Sequence, residues 1–309
     1  MKSLKPNFLA GLLFGLVITF IFLYFVTPKL ISAGEELEKR YISPYISLPY
    51  TNNVERDAII KKIAPYVVPT ESLQQTEVLM PEAASPNDYC VNVPVLMYHH
   101  IQPESMAREK GQAALTVDSG TFDQQMAYLV SQGYTAISAE QLVNDLKNRS
   151  GLPAKPIVIT MDDGYKDNFT YAFPVIQKYG LIANIMVATG LMENPDWLSW
   201  NDLKIMVDSG RFYAYNHTWS HVSLASASSD KIQSEIITAK KQLEDHLGRS
   251  GNVFTYPYGS QNTGVIEILT QNGFTAAFST IPGKMQCESF IFTLHRTRVG
   301  NGSLASYGI

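Results

Sequence analysis

Apolar positions fall into three textures along this chain. The first is continuous: Phe8 to Val26 is nearly all apolar, and 23 residues without a charge separate Lys5 from Lys29. As a helix, Phe8–Val26 would span roughly 28 Å, about the thickness of a bilayer's hydrocarbon core. No polar face interrupts the run, which argues against a buried soluble helix. Lys2 and Lys5 precede it, so the positive-inside rule keeps the N-terminus in the cytoplasm and exports the remainder. The pattern therefore predicts a membrane anchor over residues 1–30. The rival reading is a long signal peptide cleaved near Ala33, which would leave the protein secreted. Against it, signal peptides carry apolar regions of about 7–15 residues, and Ile31 fits the small-residue cleavage rule poorly.

The second texture, residues 31–90, is polar and rich in proline. Charges cluster over Glu35–Arg40, a short helical pattern covers Val54–Ile63, and prolines recur at positions 65, 69, 81 and 86. Such a segment suits an extracytoplasmic stalk better than a core. From residue 91 to 309 short β-like runs alternate with longer amphipathic ones. Strands are predicted over Val93–Tyr98, Tyr134–Ile137, Pro156–Thr160, Ala183–Ala188, Phe212–Tyr215, Val253–Tyr256, Thr275–Phe278 and Phe292–Val299. Helical patterns cover Thr121–Gln132, Ala139–Lys147, Asn168–Tyr179, Trp200–Ser209, Asp230–Leu247 and Thr263–Asn272; all but Ala139–Lys147 have glycine directly behind them. This alternation predicts an α/β fold with a parallel sheet, open or closed into a barrel.

Composition narrows the chemistry. A net charge of −4 supplies no basic face for nucleic acid, and two cysteines exclude a Cys-rich zinc site. Polar clusters instead follow four predicted strands: His99-His100, Asp162-Asp163-Gly164, Asn216-His217-Thr-Trp-Ser-His221 and Pro257-Tyr258-Gly259. In parallel α/β folds the C-terminal strand ends share one rim, where active sites form. Four of the six histidines lie in these clusters. His217 and His221, four apart, can face one ion. Taken singly, paired histidines and adjacent acids are commonplace; together on one rim they read as an Asp-His-His metal set with an open fourth position. One acid would bind the metal and its neighbour, diverging from it at the strand end, would act as general base, a role worth about 10²–10⁴-fold in rate.

Thr160-Met-Asp-Asp-Gly164, His217-Thr-Trp-Ser-His221 and Phe254-Thr-Tyr-Pro-Tyr-Gly259 resemble, in order and spacing, the motifs of NodB-type polysaccharide deacetylases, carbohydrate esterase family 4. The resemblance covers roughly residues 93–300 and implies a distorted (β/α) barrel that removes acetyl groups from a polysaccharide with a divalent metal, usually zinc. Position by position it implies Asp162 as catalytic base, Asp163, His217 and His221 as metal ligands, and Tyr258 as the residue whose backbone N–H helps hold the oxyanion. Leu96-Met-Tyr-His-His-Ile101 resembles the start of the circularly permuted branch acting on poly-N-acetylglucosamine, which implies His99 as general acid. His295, in Leu294-His-Arg296, resembles the late motif of the other branch and competes for that role. The family's arginine of the third motif is missing, with Thr255 and Tyr256 in its place, so Arg296 or Arg298 is expected to orient Asp162.

Several residues keep two readings. Trp197 and Trp200 suit core packing as well as sugar stacking, Tyr256 and Tyr258 could line a groove, and His100 and His246 receive no role. Cys90 and Cys287 flank the first and last strands of the domain, and in an exported chain such a pair favours a disulfide. Two other functions compete for these residues. A glycoside hydrolase would need a second acid across the scissile bond and would leave the histidine pair unexplained. An inactive glycan-binding module anchored at the envelope would not need every metal and base position intact.

Overall fold

The computed structural model describes residues 88–309. The anchor expected over residues 1–30 and nearly all of the stalk lie outside the described residues. Among the described residues, no helix is long and apolar enough to cross a membrane.

The chain opens with β1 (Cys90–Asn92), β2 (Val95–Tyr98) and β3 (His100–Gln102), then a short helix α1 (Glu104–Glu109), β4 (Thr116–Asp118), α2 (Ser119–Ser131), β5 (Thr135–Ala136) and α3 (Ala139–Asn148). Strand β6 (Pro156–Asp163) leads through a π-helical turn (Asn168–Ala172) into α4 (Phe173–Lys178). There follow β7 (Ala183–Val187), α5 (Trp200–Asp208), β8 (Phe212–Asn216), α6 (Ser229–Leu247), β9 (Val253–Thr255), α7 (Thr263–Gln271), β10 (Ala276–Phe278), β11 (Met285–Cys287) and β12 (Thr297–Arg298).

Local chemistry sets the helix ends. Ser138 with Gln141 and Ser199 with Asp202 form reciprocal capping boxes at the starts of α3 and α5. Ser228 caps α6, which stops at Gly248 in the left-handed conformation. The strands obey the period of two on two covered faces. Leu96, Ile159, Ile185 and Phe212 pack with Phe122, Met126 and Leu129 of α2 and with Leu203 and Met206 of α5. Val95, Val158, Met186 and Tyr215 join Leu142, Val143 and Leu146 of α3 in a second cluster.

The main sheet runs β10-β9-β8-β7-β6-β2-β12, with β5 added beside β6, and its pairs are parallel. It curls as a half-barrel. The expected long strand Phe292–Val299 is divided, because this segment serves both edges of the curl. Leu294 pairs with Phe278 of β10, whereas Thr297 and Arg298 pair with Leu96 and Met97 of β2. Outside the sheet, β1 and β11 pair antiparallel in register Cys90↔Cys287, and the expected disulfide joins those two residues across 197 positions of sequence. Cys90, counted at the end of the stalk from sequence, is thus the first residue of β1.

Candidate active site

Because the sheet is parallel, the ends of β2, β6, β8 and β9 bring His99, Asp162, Asp163, His217, His221 and Tyr258 to one rim. Thr160 and Asp162 continue the face of Val158, on the inside of the curl. Asp163 would point the other way in a regular strand. Its φ of 73° turns the chain, and Gly164 follows at φ 83°. Among the described residues, six non-glycine residues have positive φ, and four of them, Asp163, Thr218, His221 and Tyr258, belong to the three motifs. Non-glycine residues hold such φ values at a cost of about 1–3 kcal/mol each, and they concentrate at working sites.

Asp163 Oδ1 lies 3.3 Å from His217 Nε2 and 3.0 Å from His221 Nε2. The orientation of the histidines fits a metal. His217 donates Nδ1–H to the Thr255 carbonyl at 2.8 Å, which leaves its Nε2 lone pair aimed at the carboxylate when the ring is neutral. His221 Nδ1 meets the Tyr258 hydroxyl at 3.1 Å, a partner able to accept its proton and free Nε2 in the same way. Asp163 Oδ1 is buried and receives no N–H or O–H in hydrogen-bonding geometry. Electron pairs from three ligand-type atoms thus converge without a proton between them, as a divalent cation requires. Burial would push the Asp163 carboxyl up, but when His217 and His221 carry protons their hydrogen bonds and positive charge outweigh it and hold it well below the usual carboxylate range. The other grouping of ligand-type side chains, Asp88 with Cys90 and Cys287, contains the disulfide and offers no thiolate.

Asp162 is oriented by Arg296, not Arg298. The guanidinium, 1% exposed, donates from Nη1 to Asp162 Oδ1 at 2.7 Å and to Thr160 Oγ1 at 3.1 Å, and from Nε to the Ser279 carbonyl at 2.8 Å. Arg298 is exposed and donates to the Ala114 carbonyl. Burial raises the Asp162 carboxyl, and the charge of Arg296, with His217, the Arg296 hydrogen bond and His99 adding to it, brings it below its ordinary value. The pair is buried on both sides.

His99 lies just past β2, within electrostatic range of Asp162, Asp163, Arg296 and Arg298. Burial lowers its pKa most strongly, the two acids partly offset this, and the arginines add to the lowering. His295 is not brought to this cluster. It stacks on Phe290 at 4.6 Å, sits against Gly283, where an added Cβ would meet its Nδ1 at 2.6 Å, and donates its backbone N–H to Gln286 Oε1 at 3.0 Å. Its neighbour Arg296 points inward instead.

Tyr258, 69% exposed, sits in a left-handed turn after β9. Only glycine fits behind it: a Cβ on Gly259 would lie 2.2 Å from Thr280 Oγ1 at a φ of 68°. Tyr256 is buried below the rim, and Trp219, between the two histidines, is a second exposed aromatic. Trp197 tilts against Tyr165 at 5.6 Å near the site, whereas Trp200 stacks on His246 at 4.0 Å on the helical surface.

The chain is similar to several known proteins. A family model described as polysaccharide deacetylase matches residues 149–277. The Bacillus subtilis (strain 168) protein YxkH is 28% identical over 214 residues, covering 69% of this chain and 74% of that protein. The poly-beta-1,6-N-acetyl-D-glucosamine N-deacetylase of Escherichia coli (strain K12) is 21% identical over 270 residues, 74% of this chain; the match spans only 39% of that longer enzyme. Among solved structures, the Streptococcus pyogenes deacetylase PplD in complex with acetate superposes with a TM-score of 0.65 at 27% identity, covering 71% of this chain and 98% of PplD.

Proposed function

The chain is a homologue of the NodB-type polysaccharide deacetylases, and from that premise we propose that it hydrolyses the N-acetyl groups of an envelope or extracellular polysaccharide with a divalent metal, zinc by preference. One observation carries the reading: an arginine-held carboxylate, Asp162, stands directly beside the convergent Asp163-His217-His221 set. Two nitrogens and one oxygen form a ligand set that zinc accepts in catalytic sites. When bound, the cation supplies Lewis acidity toward the acetyl carbonyl and acidifies the attacking water.

The chain's own groups supply the rest. Asp162 stays ionised because Arg296 occupies Oδ1, and Oδ2 is left to take the proton of the water. His99 gives a proton to the departing amine; the burial that lowers its pKa makes it the stronger acid once it holds a proton. The backbone N–H of Tyr258 stabilises negative charge on the carbonyl oxygen as it develops, while its hydroxyl fixes the tautomer of His221. Exposed Tyr258 and Trp219 offer aromatic faces to pyranose rings at the rim.

Poly-N-acetylglucosamine is the substrate favoured here, supported by the His99 motif and by the likeness to the Escherichia coli enzyme. The disulfide supports an extracytoplasmic domain, held to the membrane by the apolar segment within residues 1–30. Acetate release from N-acetylglucosamine oligomers by the full chain tests the activity, and replacing Asp162 separates it from metal binding. Asp162→Asn should keep the metal and lose turnover, whereas His221→Ala should lose both. Full activity in Asp162→Asn would show that the base is misassigned.

A further inference from the structure

The loop that carries Asp163 also grips the chain segment that carries His99. Four residues after Asp163, Asp167 turns both carboxylate oxygens onto that segment. Oδ1 accepts the backbone N–H of Ile101 at 3.0 Å, and Oδ2 accepts Nδ1–H of His100 at 2.5 Å. Asn168, fully buried, donates from Nδ2 to the His99 carbonyl at 2.9 Å and to Asp167 Oδ1 at 3.0 Å. The His100 ring, itself buried, is stacked on Tyr165 at 3.5 Å between centroids. Three consecutive residues, His99 to Ile101, are thus fixed by three residues of one loop, Tyr165, Asp167 and Asn168.

Such a clamp is more than a strand needs. β3 already pairs with β4 in register His100↔Thr116. The added bonds fall at the three residues around His99, whose own side chain makes no hydrogen bond within the described residues and owes its place to its backbone. The loop departs from helical geometry at the same point. Asn168–Ala172 forms a π turn instead of the α-helix expected from sequence, a distortion common at functional sites.

We propose that Asp167, Asn168 and His100 are positioning residues for the general acid: they lock the peptide of His99 to the loop bearing the metal ligand Asp163, so that acid and ligand keep a fixed separation. This rests on the role given above to His99. It also gives His100, a histidine without a place in the reaction itself, a function through Asp167. A misplacement of about 1 Å at a reacting group can cost on the order of 100-fold in rate.

The test uses two substrates for the full-length chain. Amide cleavage in N-acetylglucosamine oligomers requires protonation of a poor leaving group, whereas 4-nitrophenyl acetate releases a phenolate that needs no acid. His99→Ala sets the pattern of lost acid catalysis: oligomer turnover falls and ester turnover persists. Asp167→Asn and His100→Phe, which keeps a ring over Tyr165 but removes the donor, should follow it. A fall of roughly 10–100-fold in kcat for oligomers is expected, with KM, ester hydrolysis and bound metal nearly unchanged. His100→Asn, with an amide N–H near the Nδ1 position, should restore most of the loss. If Asp167→Asn does not fold, His100→Phe with its His100→Asn rescue decides alone. Equal losses on both substrates, or no loss on oligomers, would overturn the proposal. Absence of oligomer activity in the unaltered chain would refute the proposed function itself, and this inference with it.

Discussion

Removing the Arg296 guanidinium probes the site at its most buried bond. Arg296→Met keeps an unbranched side chain but deletes the donors to Asp162, Thr160 and Ser279. At 2.7 Å and an effective dielectric of about 20, the gross attraction between the two charges is about 6 kcal/mol. Desolvation of both partners cancels part of it. Breaking a buried pair by deleting one member nonetheless costs about 3–5 kcal/mol, because the remaining charge is stranded. Urea unfolding near neutral pH should show that loss. The double variant Arg296→Met/Asp162→Asn should regain much of it, since no unpaired carboxylate is left. The pH dependence follows from the depressed pKa of Asp162. In the unaltered protein the stabilisation is present above the ordinary carboxylate range and is lost as pH falls through the folded value. Without Arg296 only burial and the weaker histidine contributions act, so the carboxyl keeps its proton to higher pH. The acid limb of kcat/KM should move upward in the same direction. A stability loss no larger than the roughly 0.5 kcal/mol of a surface substitution, with an unmoved acid limb, would refute this account of the pair.

The disulfide closes a loop of 197 residues, for which the chain-entropy relation gives about 5 kcal/mol; Cys287→Ser should lower stability by up to that amount in denaturant titrations, and an unchanged midpoint would show that the bridge does not form. His217→Ala and His221→Ala should each abolish stoichiometric zinc in metal analysis of the purified chain, while Asp162→Asn should bind zinc normally and lose about 10²–10⁴-fold in turnover. Gly259→Ala would drive a Cβ into Thr280 at a left-handed φ, so it should displace the Tyr258 turn and reduce kcat more than zinc binding, read by kinetics and metal titration together.

Much of the fold was legible because burial on a parallel sheet leaves strong periodic signals. β6, β7 and β8 came within three residues of their observed ends, and five of the six predicted helices stand nearly as expected. The failures have physical causes. β1, β3, β4 and β11 have three residues each, too few for a period to register, and α1 is a six-residue helix rich in charge. Phe292–Val299 reads as one strand because its apolar pattern is continuous, but only the curl of the sheet reveals that it spans two edges. In the site, the motif residues came from their positions after strands, and their convergence on one rim follows from parallel pairing. Arg296 and Arg298 could not be separated by pattern, since residues two apart on a strand share a face; depth decides, with Arg296 below the rim and Arg298 in solvent. Positive φ at Asp163, Thr218, His221 and Tyr258 is likewise silent in sequence, because glycine is the residue that signals it. Asn168 reads in the sequence only as the first residue of a predicted helix and Asp167 carries no reading; acidic and amide residues stand at helix starts so often that their grip on His99 leaves no mark.

The central claim is that the Asp163-His217-His221 set holds a divalent metal that serves N-deacetylation beside Asp162. The most direct measurement is acetate release from N-acetylglucosamine oligomers by the full chain, before chelation, after chelation and after zinc is returned. The account predicts release that disappears with the metal and returns with zinc, and that neither His221→Ala nor Asp162→Asn recovers. Release that is indifferent to the chelator, or that persists at full rate in Asp162→Asn, would contradict it.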